Sequence, residues 1–391
     1  MTTPERFIKE SIRSMPPSGI RKYFDLINEL EGVISLGIGE PDFVTPWSIR
    51  EAGIFALEQG HTHYSANAGI KELRKEIATY LDRKYKAHYN PDNEIIVTVG
   101  ASEGIDLALS AILEPGDEVI VPEPSFVAYK GCVLTNGGTP VSLPLKEENL
   151  FKIDPGALER AITNKTKAVI IPFPNNPTGS VMTGPELEEI VRVLEKKDLL
   201  IISDEIYSEL TYGFEFRSMA TFPSIRDRLI LVNGFSKSHA MTGWRLGYVC
   251  GDARFVKHMF KIHQYALMCA PTVAQYAGIE ALRNCDDEVS DMVGEYDRRR
   301  KFLLKGVRDL GLKCFEPQGA FYIFPNITST GMTSDEFCEG LLREEKVLVI
   351  PGTAFGDSGE GYVRATYASS MENIKEALER MERFLTRRKG N

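Results

Sequence analysis

Six short apolar runs interleaved with helical patterns constrain this chain more than any other feature. They are Glu94–Val99, Glu118–Val121, Ala168–Ile171, Leu199–Ser203, Leu229–Val232 and Leu246–Cys250. Runs of this kind suit strands buried on both faces, and their alternation with helices predicts βαβ units in a mostly parallel sheet. Between two of them, Thr183 and Glu186 read as a capping box, with Pro185 in the first turn where a missing N–H is harmless. That helix is expected to reach about Glu195. Near the end of the chain Met371, Ile374, Leu378, Met381 and Leu385 recur at a 3-4-3-4 spacing. This spacing predicts an amphipathic helix, opened by a second capping box at Ser369 and Glu372. A chain of 391 residues built this way is an α/β protein of two domains or one large unit.

Composition narrows the partners. Apolar residues make up 43% of the chain, enough for a substantial core, and charged residues 26%, ordinary for a globule. A formal net charge of −9 argues against nucleic acid, whose phosphates select basic surfaces. Met1 to Pro17 lacks an apolar signal-like core, and no window is long and apolar enough to span a membrane. Cys132, Cys250, Cys269, Cys285, Cys314 and Cys338 are scattered without a Cys-x-x-Cys pair, which fits reduced thiols in a cytoplasmic protein. His61 and His63 have no second ligand cluster, so no metal is expected.

The chemistry concentrates where the apolar runs end. After Leu229–Val232 comes Gly234-Phe235-Ser236-Lys237-Ser238-His239-Ala240-Met241-Thr242-Gly243-Trp244-Arg245. A lysine next to buried surface loses its proton more readily and can then condense with a carbonyl. Arginine stays charged and forks onto phosphate. Pyridoxal phosphate, an aldehyde that is also a phosphate ester, asks for both. Asp204 ends the run before, at the strand edge where open α/β sheets bind ligands, and such a carboxylate needs a cation or strong donors. A protonated pyridine nitrogen is such a cation. Tyr207 and Asn176 can offer a hydroxyl and an amide to a ring oxygen. Taken singly, Asp204 could instead be a helix cap, Tyr207 a core aromatic, Asn176 a turn residue and Lys237 a solvated loop lysine. Gly100-Ala101-Ser102 follows a strand and opens a helical run through Leu113, a turn whose N–H groups can approach phosphate. Gly37-x-Gly39 lacks the third glycine of a dinucleotide fingerprint, and Pro41 interrupts it.

With these segments in order, the chain resembles the class I/II, fold-type I pyridoxal-phosphate aminotransferases over essentially its whole length. The resemblance rests on Ser35–Phe43, His63–Gly69, Asn175–Gly179, Ser203–Tyr207, the Lys237 segment and Gly361–Arg364. Within the family it is most similar to a bacterial and archaeal branch of aspartate, aromatic and N-acetyl-diaminopimelate aminotransferases. The resemblance implies a large cofactor domain over residues 46–284, with residues 1–45 and 285–391 forming an N-terminal arm and a small α+β domain. It implies reversible amino transfer between an amino acid and a 2-oxo acid, with Lys237 carrying the cofactor and Asp204 pairing with its ring nitrogen. Asn176 and Tyr207 are then expected at the ring oxygen and Phe126 on the ring. Arg245, Ser102, Ser236 and the Gly100–Ala101 backbone are expected around the phosphate. Arg364 is expected to fork onto the substrate carboxylate, with Gly39 lining the pocket and Asn176 sharing it. Tyr64 would reach the neighbouring subunit's phosphate, which implies a homodimer.

Two positions depart from the family pattern. Gly234 stands where many relatives carry a serine, so a phosphate hydroxyl is lost or moved to Ser236. Ser102 stands where some aspartate-specific relatives carry a lysine, which favours aromatic or other large donors over aspartate. The cofactor residues are shared with β-lyases and decarboxylases of the same fold, so these stay open as alternatives. A non-enzymatic regulator would need a DNA-binding unit, for which the segment before Val33 is short.

Overall fold

The computed structural model describes residues 4–15, 19–20, 22–23 and 31–389. A two-residue strand, β1 (Ile34–Ser35), precedes a main sheet made of β2 (Ile95–Thr98), β3 (Glu118–Glu123), β4 (Thr139–Pro144), β5 (Thr166–Ile171), β6 (Leu200–Asp204), β7 (Leu229–Gly234) and β8 (Gly247–Gly251). Its order is β2-β8-β7-β6-β5-β3-β4, with β8 antiparallel to both neighbours and the remaining pairs parallel. All six predicted runs are strands, shifted by a residue or two at their ends. The antiparallel return of β8 follows from its connection. Between β7 and β8 there is a 3-10 turn at Thr242–Trp244 and no crossover helix, which a parallel return needs. The unpredicted strand, β4, is an edge strand with Pro140 and Pro144 and only Leu143 buried. An edge tolerates the missing N–H groups, but so little apolar pattern gives the sequence no strand signal.

Helices cover both faces of this sheet, and two apolar cores form between the layers. One contains Ile77, Val97, Val169, Ile190 and Leu231, the other Ile96, Ile105, Val121, Ile202 and Val232. A third core lies over the C-terminal residues and includes Leu36, Leu303, Phe337, Leu348, Ile374 and Phe384. It surrounds a small sheet in which β12 (Val363–Thr366) lies between β11 (Ile350–Pro351) and β9 (Tyr322–Ile323), antiparallel to each. β1 pairs in parallel with β10 (Val347–Leu348), which ties the N-terminal segment to this part of the fold. β12 is buried along its whole length.

The Thr183–Glu186 capping box is present and opens the helix Gly184–Leu194. The expected Ser369–Glu372 box does not form. The last helix is Met371–Lys389, so the residue before it is Ser370, whose hydroxyl accepts from Asn373 N at 3.1 Å. Its apolar stripe holds, with Ile374, Met381 and Leu385 buried and Ala377 and Phe384 completing it. What matters for chemistry is one edge of the main sheet. There the C-terminal ends of β2, β3, β5, β6 and β7 meet the start of β8.

Candidate active site

A cavity of about 510 Å³ opens at that edge, within the range of small-molecule sites. Ala101, Ser102, Phe126, Asn176, Asp204, Tyr207, Ser236, Lys237 and Arg245 line it from the main sheet, and Gly39 and Arg364 from the C-terminal side. Residues predicted from seven separate stretches thus meet in one space. Tyr64 does not: it is 80% exposed and away from this chain's cavity.

Lys237 follows β7 and is half-buried, its Nζ donating to Gly39 O at 2.7 Å. Burial lowers its pKa to about 8, with Arg364 and Arg245 adding to the shift and Glu40 and Asp204 opposing it. A measurable fraction of the amine is therefore neutral near pH 7, as a nucleophilic or proton-accepting lysine needs. Gly39 also makes room for Tyr322, whose hydroxyl would lie 2.8 Å from a Cβ there.

Asp204 is 4% exposed, and burial raises its pKa. Tyr129 Oη donates to its Oδ2 at 2.8 Å and Ile206 N to its Oδ1 at 3.1 Å. Among the described residues no cation forms a salt bridge with it. A buried carboxylate held by two donors, facing a cavity, suits a cationic ring nitrogen. The bond to Ile206 N lies within the turn that follows β6, and no helix starts there for Asp204 to cap.

Arg364 is 2% exposed and stacks between the rings of Tyr322 and Phe355, with its centre 4.5 and 4.7 Å from their centroids. It donates to Asn176 Oδ1 at 2.9 Å and Gly37 O at 2.6 Å, while its Nε has no partner. Burial lowers its pKa, yet no carboxylate of the described residues pairs with it. Such a guanidinium is poised for an anionic ligand. Tyr207 Oη lies 3.0 Å from Tyr322 Oη, both rings buried.

At the turn after β2, Gly100 opens the helix Gly100–Ser110 with φ +76°, and a Cβ there would lie 2.7 Å from an Arg245 guanidinium nitrogen. The left-handed φ is what requires glycine, since the exposed guanidinium can swing aside. Gly247 presses against the backbone of this turn, where a Cβ would come 2.5 Å from Gly100 C. Gly234 pairs with Gly247 across β7 and β8, and its Cβ would meet Gly247 Cα at 2.9 Å. The missing serine at 234 thus has a packing cause in this chain, and Ser236 lines the cavity instead.

Tyr129, Tyr322 and Glu40 were not singled out from the sequence. Tyr129 stands three residues after Phe126 at a helix start, a spacing that puts both on one face, and their rings meet edge-on at 5.6 Å. Tyr322 sits in a two-residue strand that leaves no local signature.

A family model described as aminotransferase class I and II matches residues 31–381. The chain belongs to this family. It is 47% identical to an aspartate aminotransferase of Pyrococcus abyssi over 95% of this chain and 97% of that one. It is 44% identical to aromatic-amino-acid aminotransferase 2 of Thermococcus litoralis, over 98% and 99% of the two chains. The crystal structure of an aromatic aminotransferase from Pyrococcus horikoshii superposes with a TM-score of 0.90 at 45% identity, covering 95% of this chain and 99% of that one. The protein is therefore an aminotransferase of fold-type I that depends on pyridoxal phosphate. The site fits that cofactor: a half-buried lysine of lowered pKa, a buried carboxylate without a cation and a glycine turn beside an arginine face one cavity.

A buried acid next to Asp204 carries a stability prediction. Glu205 Oε1 accepts from Ser203 Oγ, Ser218 Oγ and Met219 N, while Oε2 has no partner. Burial pushes its pKa up to about 7. Between its unfolded value and pH 7 the unfolded chain gives up this proton and the folded chain keeps it. Stability therefore falls as pH rises through that window, by on the order of 3 kcal/mol. Glu205→Gln keeps the accepting oxygen and abolishes the loss. Thermal midpoints at pH 5 and pH 8 should show the variant gaining on the wild type at the higher pH. A difference independent of pH would refute this reading.

Proposed function

We propose that this chain transfers amino groups between amino acids and 2-oxo acids in two half-reactions, with aromatic or other large apolar amino acids as preferred donors. The observation that carries the proposal is the convergence of Lys237, Asp204 and the buried, anion-free Arg364 on one cavity. Pyridoxal phosphate, when bound, supplies an aldehyde that condenses with amines and a ring that takes up electrons from the substrate α-carbon. Lys237 would carry it, and its Nζ, once freed by the substrate amine, would take the proton from the substrate α-carbon and deliver it to the cofactor carbon. Asp204 keeps the proton on the ring nitrogen, with Tyr129 orienting its carboxylate. Phe126 covers the ring face, and Asn176 and Tyr207 donate to the ring oxygen. Arg245, Ser102, Ser236 and the Gly100–Ala101 N–H groups hold the phosphate. Arg364 forks onto the substrate carboxylate, with Asn176 and the Gly39 backbone beside it.

The donor preference follows from charge. Lysine and arginine lining this cavity number three among the described residues, Lys237, Arg245 and Arg364, and each already has a role. None remains for a side-chain carboxylate, and Glu40 would repel one. Ile38, Ile105, Pro174 and Ile206 offer apolar surface. Phenylalanine or tyrosine should therefore drive the half-reaction with a kcat/KM at least equal to that of aspartate. Arg364→Lys should weaken all donors together, because an ammonium cannot reproduce the two-pronged contact. A donor panel read by cofactor absorbance and 2-oxo acid release tests this. A strong preference for aspartate would contradict the donor assignment. Ammonia or carbon dioxide in place of a 2-oxo acid would favour the lyase or decarboxylase alternative.

The same reading includes a homodimer in the cytoplasm. Trp47, Ile54, Phe55 and Leu57 on one helix stand exposed, as do Val44 and Tyr64, and apolar surface of this kind suits a second copy. Tyr64 would then serve the neighbouring site. No helix of the described residues is long and apolar enough to cross a membrane. We divide the chain into a cofactor domain at 46–284 and a second unit from 1–45 with 285–391. The break between the helices Thr272–Asn284 and Asp286–Asp309 supports that division, as does a core drawn mostly from the C-terminal residues, to which Tyr207, Leu210 and Tyr212 also contribute.

A further inference from the structure

Glu103 lies in the first turn of the helix Gly100–Ser110, one residue after Ser102. Its carboxylate accepts from Val99 N and is 10% exposed. A carboxylate there complements the helix N-terminus, but it stands beside the turn assigned to a phosphate dianion and would repel it. His263, on the helix Ala253–Ala266, meets this carboxylate from the other side. Its side chain is fully buried, with Nδ1 2.5 Å from Glu103 Oε1 and Nε2 2.9 Å from Asn67 O. A carbonyl only accepts, so Nε2 carries a hydrogen. The short Nδ1–Oε1 contact then requires a proton between the two atoms. Whichever atom holds that proton, the His263–Glu103 pair is electrically neutral. The pair also reaches the segment bearing Tyr64, since Asn67 lies within His63–Gly69 and its Nδ2 donates to Met268 O at 2.7 Å.

We propose that His263 is a positioning residue for the phosphate end of the cofactor site. It cancels the charge of Glu103 so that the turn Gly100–Ser102 can hold an anion, and it ties that turn to the Tyr64 segment. This inference rests on the phosphate assignment above. It assigns a task to a buried histidine that touches neither cofactor nor substrate.

The test measures cofactor affinity, not turnover. Apoenzyme is titrated with pyridoxal phosphate and with pyridoxal, which lacks the phosphate, and binding is read by quenching of tryptophan fluorescence. His263→Gln should weaken pyridoxal phosphate at least tenfold and pyridoxal less than threefold. The double variant Glu103→Gln/His263→Gln should bind pyridoxal phosphate within threefold of wild type, because the unbalanced charge is gone. Glu103→Gln alone, which keeps the histidine, should bind it at least as tightly as wild type. Equal weakening of both ligands by His263→Gln, or no recovery in the double variant, would reduce His263 to a packing residue and overturn the proposal. A wild-type apoenzyme for which inorganic phosphate does not compete with pyridoxal phosphate would instead overturn the phosphate assignment, and this inference with it.

Discussion

Lys237→Ala should lose essentially all turnover while still binding pyridoxal phosphate. The lysine is asked to do two things that no neighbour can take over. It supplies the amine that holds the cofactor, and its Nζ moves the α-proton. Lys237 alone among the lysines lines the cavity, counted over the described residues. Its lowered pKa comes chiefly from burial, so a lysine elsewhere on the surface would not share its reactivity. Removal of the principal acid–base and nucleophilic group costs on the order of 10⁴-fold or more in enzymes where such groups act together. Affinity should survive in part, because Arg245, Ser236, Asp204 and the Gly100 turn remain. The measurements are steady-state rates with phenylalanine and 2-oxoglutarate, together with cofactor content after dialysis. Turnover within tenfold of wild type would show that another amine does the chemistry.

Asp204→Ala should lose rate far more than affinity. The ring nitrogen's proton matters most as negative charge develops at the substrate α-carbon, so the carboxylate stabilises the transition state more than the bound ground state. Removal of a preorganised charge-stabilising group costs about 10²- to 10³-fold. The carboxylate is well placed for this, since Tyr129 and Ile206 N fix its two oxygens and almost no water reaches it. Single-turnover rates should fall by at least two orders of magnitude while the substrate dissociation constant changes little. Near-normal rates would leave Asp204 with the turn-forming bond to Ile206 N as its only role.

Which parts were legible in the sequence follows from how local their signals are. Asp204 closes one apolar run and Lys237 lies in the loop just after the next, so strand and site residue are read together. The sheet was legible for the same reason, except β4, whose prolines and exposed edge erase the apolar pattern. Arg364 was found through the family resemblance, because nothing near it announces an anion site. Its significance comes from Tyr322, Phe355 and Asn176, brought in from distant stretches. Tyr129 was missed because an i,i+3 neighbour of an aromatic reads as core. The Ser369–Glu372 box failed because a one-residue shift of the helix start hands the cap to Ser370. Gly234, read as a lost hydroxyl, is explained only once β7 and β8 are seen to touch at Gly247.

The most direct test of the account is to reduce the holoenzyme with borohydride and map the labelled peptide. The account requires one pyridoxyl group per chain on the peptide containing Lys237, and none there after prior conversion of the cofactor by an excess of amino donor. Labelling of a different lysine, or labelling of Lys237 that donor does not prevent, would contradict it.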